Sequence, residues 1–190
     1  NTDDYADPRN SYLNDVIERG LGIPITLSVV MMELGRRIGI DLVGVGMPGH
    51  FLVRSAFDRD RYWDPFHAYR AMRATDCRVL FERVVGPDIP FTDSHLAPTG
   101  PLAIVSRVLM NLQRSTISRG DGSAAWVVRL QLCLPGLAAR DRHELAVLLG
   151  SLGSFTESAA QLDRVAREAD DESLAETAEN DATALRARTN

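Results

Sequence analysis

One histidine and one aspartate in this sequence have surroundings that suit acid–base chemistry. His50 follows a Pro48-Gly49 turn and begins an apolar run, and Asp64 ends the short segment 61–64. In covalent catalysis, an aspartate orients a histidine, and the histidine activates a nucleophile. His50 and Asp64 are therefore candidate catalytic residues, provided that the fold brings them together.

Two predicted strands, 50–54 and 61–64, must position this pair. If the loop between them covers 55–59, antiparallel pairing places the histidine opposite the aspartate on one face of the sheet. If the loop covers only 58–60, the two stay on one face but are displaced by about 13 Å. Contact between the candidate residues therefore depends on the register of the two strands.

The first 70 residues are predicted to form an α+β core. Apolar residues recur at helical spacing in two segments, and the pattern then changes to short apolar runs separated by turn residues. The predicted elements are helices over about 11–19 and 24–38 and strands over 42–45, 50–54 and 61–64. Pro24 lies in the first turn of the second helix, where proline is tolerated. Short successive strands favour an antiparallel meander.

The rest of the chain is predicted to be helical. A helix from about residue 75 is followed by four prolines within 86–101, which indicate a linker. Helices are then predicted over about 102–118, 122–133, 137–150, 154–168 and 172–187. Gly120-Asp121 and Gly153-Ser154 lie 33 residues apart, a spacing typical of tetratricopeptide repeats, although a plain helical bundle fits as well. The predicted domains are 1–86 and 102–190, joined by the linker 87–101.

Several ordered motifs carry a resemblance to a known family. They are Asn10-Ser11-Tyr12-Leu13, Glu18, Gly22-Ile23-Pro24-Ile25, Pro48-Gly49-His50-Phe51-Leu52 and Asp64-Pro65-Phe66. This set resembles the SirB-type transglutaminase-like family of bacteria, whose members have a transglutaminase-like domain followed by tetratricopeptide-like helices. A eukaryotic F-box protein carries a related segment. The resemblance implies a transglutaminase- or papain-like core of one helix and an antiparallel sheet. Since relatives usually have helical sequence before the first motif, we expect a domain truncated at its N-terminus.

The resemblance also implies a nucleophilic thiol at the start of the buried helix, but this sequence has none there. The matching position is Pro24 or Ile25, and neither has a nucleophilic atom. The two cysteines, Cys77 and Cys133, lie later in the chain and are expected to be core thiols. Thr26 and Ser28 are near the helix start, but capping or packing roles are favoured for their hydroxyls.

We therefore expect a non-catalytic interaction or scaffold protein with an unidentified protein partner. The expected pocket-lining residues are Asn10, Glu18, Pro24, Ile25, Ser28 and Phe51. The alternative is a hydrolase or acyltransferase in which His50 and Asp64 act with Ser28, Thr26 or an activated water. The same pair could instead be structural, or line a small-molecule sensor site.

Composition excludes several other function classes. The net charge is −5, which disfavours nucleic acid as a partner. No apolar run approaches the length of a membrane-spanning helix, and a cytoplasmic location is expected. All 21 basic residues are arginine, so lysine-based chemistry is excluded. No cofactor is expected, nor a metal, because the spacing of His67, His95 and His143 is not that of metal ligands. The oligomeric state stays open.

Overall fold

The structure, a computed structural model, describes residues 1–120 and 124–188. Its α-helices are α1 (Leu13–Arg19), α2 (Pro24–Arg37), α3 (Ala74–Val85), α4 (Pro101–Ser118), α5 (Ala124–Leu132), α6 (Ala139–Ser151), α7 (Phe155–Glu168) and α8 (Glu172–Ala187). Its strands are β1 (Leu42–Val45), β2 (Leu52–Ser55), β3 (Tyr62–Asp64) and β4 (Arg70–Met72). Short 3-10 helices cover Pro8–Asn10, Pro65–His67 and Asp93–Leu96. These elements confirm the predicted α+β class followed by helices.

The chain divides into two compact units. Unit 1 covers Asn1–Asn111 and unit 2 covers Leu112–Asn190. The domain limits given by the sequence, with a linker over 87–101, stay a prediction. Among the residues that the structure describes, none of the helices has the length and apolar character needed to cross a membrane.

Helix α2 is the central helix of unit 1, and its bounds agree with the predicted 24–38. It begins at Pro24, whose missing N–H has no cost in a first helical turn. Beyond its end, Gly39 adopts a φ of 76°, a left-handed conformation that glycine accepts without strain. The helix packs against β1, β2 and the 3-10 helix Pro65–His67. His50 lies just before β2, and Asp64 comes directly before this 3-10 helix.

The sheet is an antiparallel meander in the order β1-β2-β3-β4. Arg54 pairs with Tyr62, a register between the two predicted alternatives, so His50 is not directly opposite Asp64. The predicted second strand began at His50, but β2 begins at Leu52. Strand β4 was not predicted, because it has only three residues and two of them are exposed.

Two apolar clusters form the core of unit 1. One joins the sheet to α3 through Val45, Met47, Leu52, Tyr62, Met72, Cys77, Phe81 and Leu96. The other joins Ile23, Ile25 and Phe51 to the first half of α4. A Cβ at Gly44 would lie 2.8 Å from the Phe51 ring. Glycine at this strand position therefore allows the ring to pack directly on the backbone.

Unit 2 is helical throughout its described part. Each of α5, α6 and α7 packs against the helix that follows it. The Ser158 hydroxyl donates to the Ala146 carbonyl at 2.5 Å, and a Cβ at Gly150 would lie 2.9 Å from that hydroxyl. Small residues thus let α6 and α7 approach closely. Asp121 of the predicted Gly120-Asp121 turn, and the first residues of the helix predicted from 122, lie outside the described residues.

Candidate functional site

The start of α2 carries a hydroxyl that caps the helix. The Thr26 Oγ1 accepts a hydrogen bond from the Ile23 N–H at 3.2 Å and donates to the Asn10 carbonyl at 2.7 Å. Thr26 is fully buried. Capping satisfies one of the backbone donors left unpaired at a helix start. The Thr26 hydroxyl thus both accepts and donates a hydrogen bond within the fold.

The position expected for a thiol is closed by apolar side chains. Ile25 is 2% exposed and Phe51 is 1% exposed, and the two belong to one cluster with Ile23. Ser28 is also fully buried, and its Oγ has no hydrogen-bond partner. Among the described residues, no hydrogen bond joins Ser28 or Thr26 to His50.

The backbone of His50 is fixed by an arginine from α4. The Arg107 Nη2 donates to the carbonyls of Met47 at 3.0 Å and of His50 at 2.8 Å. Its guanidinium also lies 5.5 Å from the centre of the Phe51 ring, within cation–π distance. Arg107 was not among the predicted site residues, because nothing in the local sequence links it to a histidine 57 residues earlier.

A glycine shapes the turn before His50. Gly49 has a φ of 72°, and a Cβ there would lie 2.2 Å from a methyl carbon of Val84. Both the conformation and the space therefore require glycine. This turn places His50 ahead of β2, so the strand register does not fix the position of its side chain.

His50 and Asp64 lie in contact. The His50 Nε2 is 3.0 Å from the Asp64 Oδ2, and both side chains are buried, at 6% and 3% exposed. The contact is bent, so the Nε2 has no in-line hydrogen-bond partner. The structure thus brings together the two residues that sequence analysis chose, without aligning them as a regular hydrogen-bonded pair.

Asp64 is contacted at both carboxylate oxygens. Its Oδ1 accepts from the backbone N–H groups of Phe66 at 3.1 Å and His67 at 3.3 Å. Its Oδ2 lies 2.7 Å from the His67 Nδ1 and also faces His50. Burial raises the pKa of Asp64, but the contacts with the two imidazoles outweigh burial and leave the pKa below its usual value. Asp64 is therefore an anion with a fixed orientation.

His67 belongs to this cluster, although its spacing in the sequence indicated no ligand role. Its ring stacks on that of His50 with centroids 5.6 Å apart. The next two residues, Ala68 and Tyr69, have φ values of 53° and 56°. This left-handed backbone conformation is unfavourable for most residues other than glycine and asparagine. The signal that could have revealed His67 is its place three residues after Asp64, where a short helical turn brings the two together.

A depression of about 180 Å³ opens onto the cluster. Its lining residues are Asp64, His67, Arg70, Met72, Asp76, Val79, Leu80 and Arg83. None of the expected pocket-lining residues is among them. Asn10 is fully buried and its amide donates to the Asp4 carbonyl at 2.8 Å, which ties down the N-terminal segment. Glu18 is exposed on α1.

The two thiols differ from each other. Cys77 is fully buried in the core of unit 1 as expected, and burial, with a smaller effect of nearby aspartates, raises the pKa of its thiol to about 12. Cys133 is exposed after the end of α5. The expectation of a core thiol was therefore wrong for Cys133, because α5 ends one residue earlier, at Leu132, and Cys133 lies in the turn after it.

A family model described as the transglutaminase-like superfamily matches residues 1–110. The chain belongs to the transglutaminase-like superfamily. This confirms the family resemblance read from the motifs. In this transglutaminase-like domain, the histidine and the aspartate of the motifs are present and the thiol is absent from the start of α2.

The similarity of this transglutaminase-like protein to its relatives covers more residues than the family model does. A UPF0162 protein of Xylella fastidiosa is 40% identical over 159 residues, which are 79% of this chain and 56% of the relative. A UPF0162 protein of Pseudomonas aeruginosa is 37% identical over 65% of this chain and 45% of the relative. The chain thus spans about half the length of these curated relatives.

A short part of the chain is similar to a eukaryotic protein. F-box only protein 21 of Mus musculus is 39% identical over 51 residues, which are 27% of this chain and 8% of that protein. No solved structure matches the chain significantly.

Proposed function

We propose that this transglutaminase-like protein is a non-catalytic interaction or scaffold module. The single observation that carries the proposal is the start of α2, where Pro24 and Ile25 stand at the position for which the resemblance implies a thiol. Ile25 packs with Phe51 in a closed apolar cluster. Acyl transfer through a covalent intermediate needs an activated nucleophile beside the histidine, and this arrangement supplies none.

The thiols and hydroxyls of unit 1 support the same proposal. Cys77 stays protonated at neutral pH because burial raises its pKa to about 12. The Thr26 hydroxyl caps α2, and Ser28 is buried without a bond to His50. A domain that has the family's fold but no activated thiol or hydroxyl beside its histidine is consistent with binding rather than catalysis.

An open depression in unit 2 supports binding of a protein segment. Its volume is about 750 Å³; charged and polar side chains line part of it, and the rest is lined by apolar side chains from α5 to α7 and the turn after α5. These are Leu132, Leu134, Pro135, Leu137, Leu149 and Ala160. The arginines at its edge are already engaged, Arg129 with Glu157 and Arg164 with Glu168. We propose that the occupant is an extended segment of a partner protein with apolar side chains.

Two further parts of the proposal come from the sequence. The helices of unit 2 are proposed to be tetratricopeptide-like hairpins, whose stacked helices present binding surfaces in other proteins. The net charge of −5 favours a protein partner over nucleic acid. A cytoplasmic location is part of the same proposal.

The test is site-specific photo-crosslinking in cells, followed by binding measurements with the purified partner. Ala160 is exposed in the depression, and Ala184 is exposed on α8 outside it. A crosslinker at 160 should trap a partner that a crosslinker at 184 does not. Ala160→Arg should then weaken that partner's affinity at least about tenfold, whereas Ala184→Arg should leave it unchanged. If nothing is trapped at 160, or if Ala160→Arg binds like the original chain, the proposal fails.

The second candidate function is hydrolysis with a water activated at the histidine. The contact between His50 and Asp64 favours it, together with the depression that opens onto Asp64 and His67. Ser28 or Thr26 as the nucleophile is the less supported form, because neither hydroxyl bonds to His50. Turnover of ester or amide substrates that is lost in His50→Ala would establish this candidate in place of the first.

A further inference from the structure

We propose that His50, Asp64 and His67 form a binding site for one divalent transition-metal ion of the Zn²⁺ class. One ligand atom from each residue lies within 4.8 Å of the others. Two imidazole nitrogens and one carboxylate oxygen are a common ligand set for Zn²⁺ and its neighbours. The inference does not depend on the interaction function proposed above.

The distances suit a shared ion after a small adjustment. Two ligands of one tetrahedral Zn²⁺, each about 2.1 Å from the metal, stand roughly 3.4 Å apart. The His50 Nε2 and the His67 Nδ1 lie 3.0 and 2.7 Å from the same Asp64 oxygen. An increase of about 0.4 Å in the first distance and about 0.7 Å in the second would admit the ion. The His67 side chain is 55% exposed, so it is free to make that movement.

An unsatisfied nitrogen points to a missing partner. The His50 Nε2 is buried and has no in-line hydrogen bond, although a carboxylate oxygen is 3.0 Å away. That oxygen already has an aligned contact with the His67 Nδ1. Buried polar atoms without a partner are rare in folded proteins. A metal ion between the three residues would bind a lone pair of the Nε2 and give this nitrogen a partner.

Other groups hold the ligands as the outer partners of a metal site do. The Asp64 Oδ1 accepts two backbone N–H groups, which leaves its Oδ2 directed at the imidazoles. Arg107 fixes the backbone of His50. The strained φ values of Ala68 and Tyr69 come directly after His67, and such strain clusters at functional sites. Fixed outer partners of this kind orient the ligands of metal sites.

The depression of about 180 Å³ gives an ion access to the cluster. Asp64 and His67 line it, and it leaves room for a water or an anion at the open coordination position. The depression is also lined by Arg70, Asp76 and Arg83. The two guanidinium groups oppose binding of a bare cation, but they suit an anionic group, such as a carboxylate or phosphate, bound to the metal.

The test is a titration of the full chain, without a polyhistidine tag, with Zn²⁺ alone in competition with a chromophoric chelator. The original chain should bind one equivalent of Zn²⁺. His67→Ala should weaken the affinity for Zn²⁺ at least about tenfold, because loss of a residue that only orients a metal ligand already lowers metal affinity by about that factor. His67 is half exposed, so this variant keeps the core intact even if His50→Ala does not fold. His95→Ala and Cys133→Ser are the matched controls, and both should bind like the original chain.

Two further readouts make the test specific. Co²⁺ should produce a visible absorption spectrum that His67→Ala loses and His95→Ala keeps, and excess Mg²⁺, which prefers oxygen ligands, should not displace Zn²⁺. If the original chain binds less than one equivalent, or if His67→Ala binds Zn²⁺ as tightly as His95→Ala, the site does not exist.

Discussion

Unit 1 and unit 2 both bury hydroxyls that donate to backbone carbonyls, but unit 1 also buries two ionisable side chains in contact with each other. In unit 2, the hydroxyls of Ser115, Thr116 and Ser158 donate to backbone carbonyls. In unit 1, the buried His50 and Asp64 contact each other. Burying a hydroxyl that donates to a backbone carbonyl costs little free energy, whereas removing an ionisable side chain from water costs much more.

The comparison shows which kind of polar burial indicates a site. Arg142 of unit 2 is a buried charge too, but its guanidinium donates to the Leu132 carbonyl at 3.3 Å and to Gln161 at 2.9 Å, both neutral groups. Such an arrangement ties two segments together. In unit 1, ionisable groups meet one another beside an opening to solvent, and that combination indicates chemistry or ligand binding.

The largest expected effect lies in the apolar core of unit 2. Leu162 is fully buried between α6 and α8 side chains. Leu162→Ala should lower the free energy of unfolding by about 2–5 kcal/mol, because it removes buried methyl groups and leaves a cavity. Denaturant titration measures this loss. Leu162→Met, which conserves volume, should cost less than about 1.5 kcal/mol. Equal losses for the two variants would contradict a closely packed core.

The next effect concerns the charged cluster of unit 1. Asp64→Asn should cost about 1.5–3 kcal/mol at neutral pH, because contacts of a charged acceptor are lost. The folded-state pKa of Asp64 is lowered, so its stabilising effect is present above about pH 4 and is lost as the pH falls through the folded-state pKa. Stability of Asp64→Asn should therefore fall less steeply on acidification. Parallel pH profiles for the two proteins would contradict this account.

A smaller effect is expected for the helix cap. Thr26→Val should cost about 1–2 kcal/mol, because the Ile23 N–H and the Asn10 carbonyl lose a buried partner. Thr26→Ser keeps the hydroxyl and should recover most of that stability. Thermal and denaturant unfolding measure both variants. A Thr26→Val chain that kept its stability and lost a measurable enzymatic activity would make Thr26 a nucleophile instead of a cap.

The smallest effect on stability belongs to the exposed thiol. Cys133→Ser should change the free energy of unfolding by no more than about 0.5 kcal/mol. It should nevertheless abolish the fast reaction with a thiol reagent at pH 8, because the pKa of Cys77 is about 12 and its thiolate is scarce. Counting modified thiols before and after denaturation checks this. Fast modification of Cys77 in the folded chain would contradict its assignment to the core.

Much of the fold could be predicted because local signals agree with the tertiary structure. Proline at the first position of α2 and its apolar faces define that helix in the sequence and in the structure. Strand β4 was missed because three residues are too few to show a period. The register was not predicted, since it depends on the conformation of the turn between β2 and β3 rather than on the alternation of side chains.

The candidate site was predictable only in part. His50 and Asp64 stand in recognisable motifs, and the structure places them in contact. His67 depends on a 3-10 turn followed by two left-handed residues that are not glycine, which no local pattern indicates. Arg107 acts through two backbone carbonyls, so its role depends on tertiary packing alone.

The central claim is that unit 1 keeps a histidine and an aspartate without a nucleophile, and one measurement tests it most directly. The folded chain would be incubated with electrophilic probes that acylate activated thiols and hydroxyls, and adducts would be mapped by mass spectrometry of peptides. The account predicts no adduct on Cys77, Thr26 or Ser28. An adduct on any of the three that disappears in a folded His50→Ala variant would contradict it.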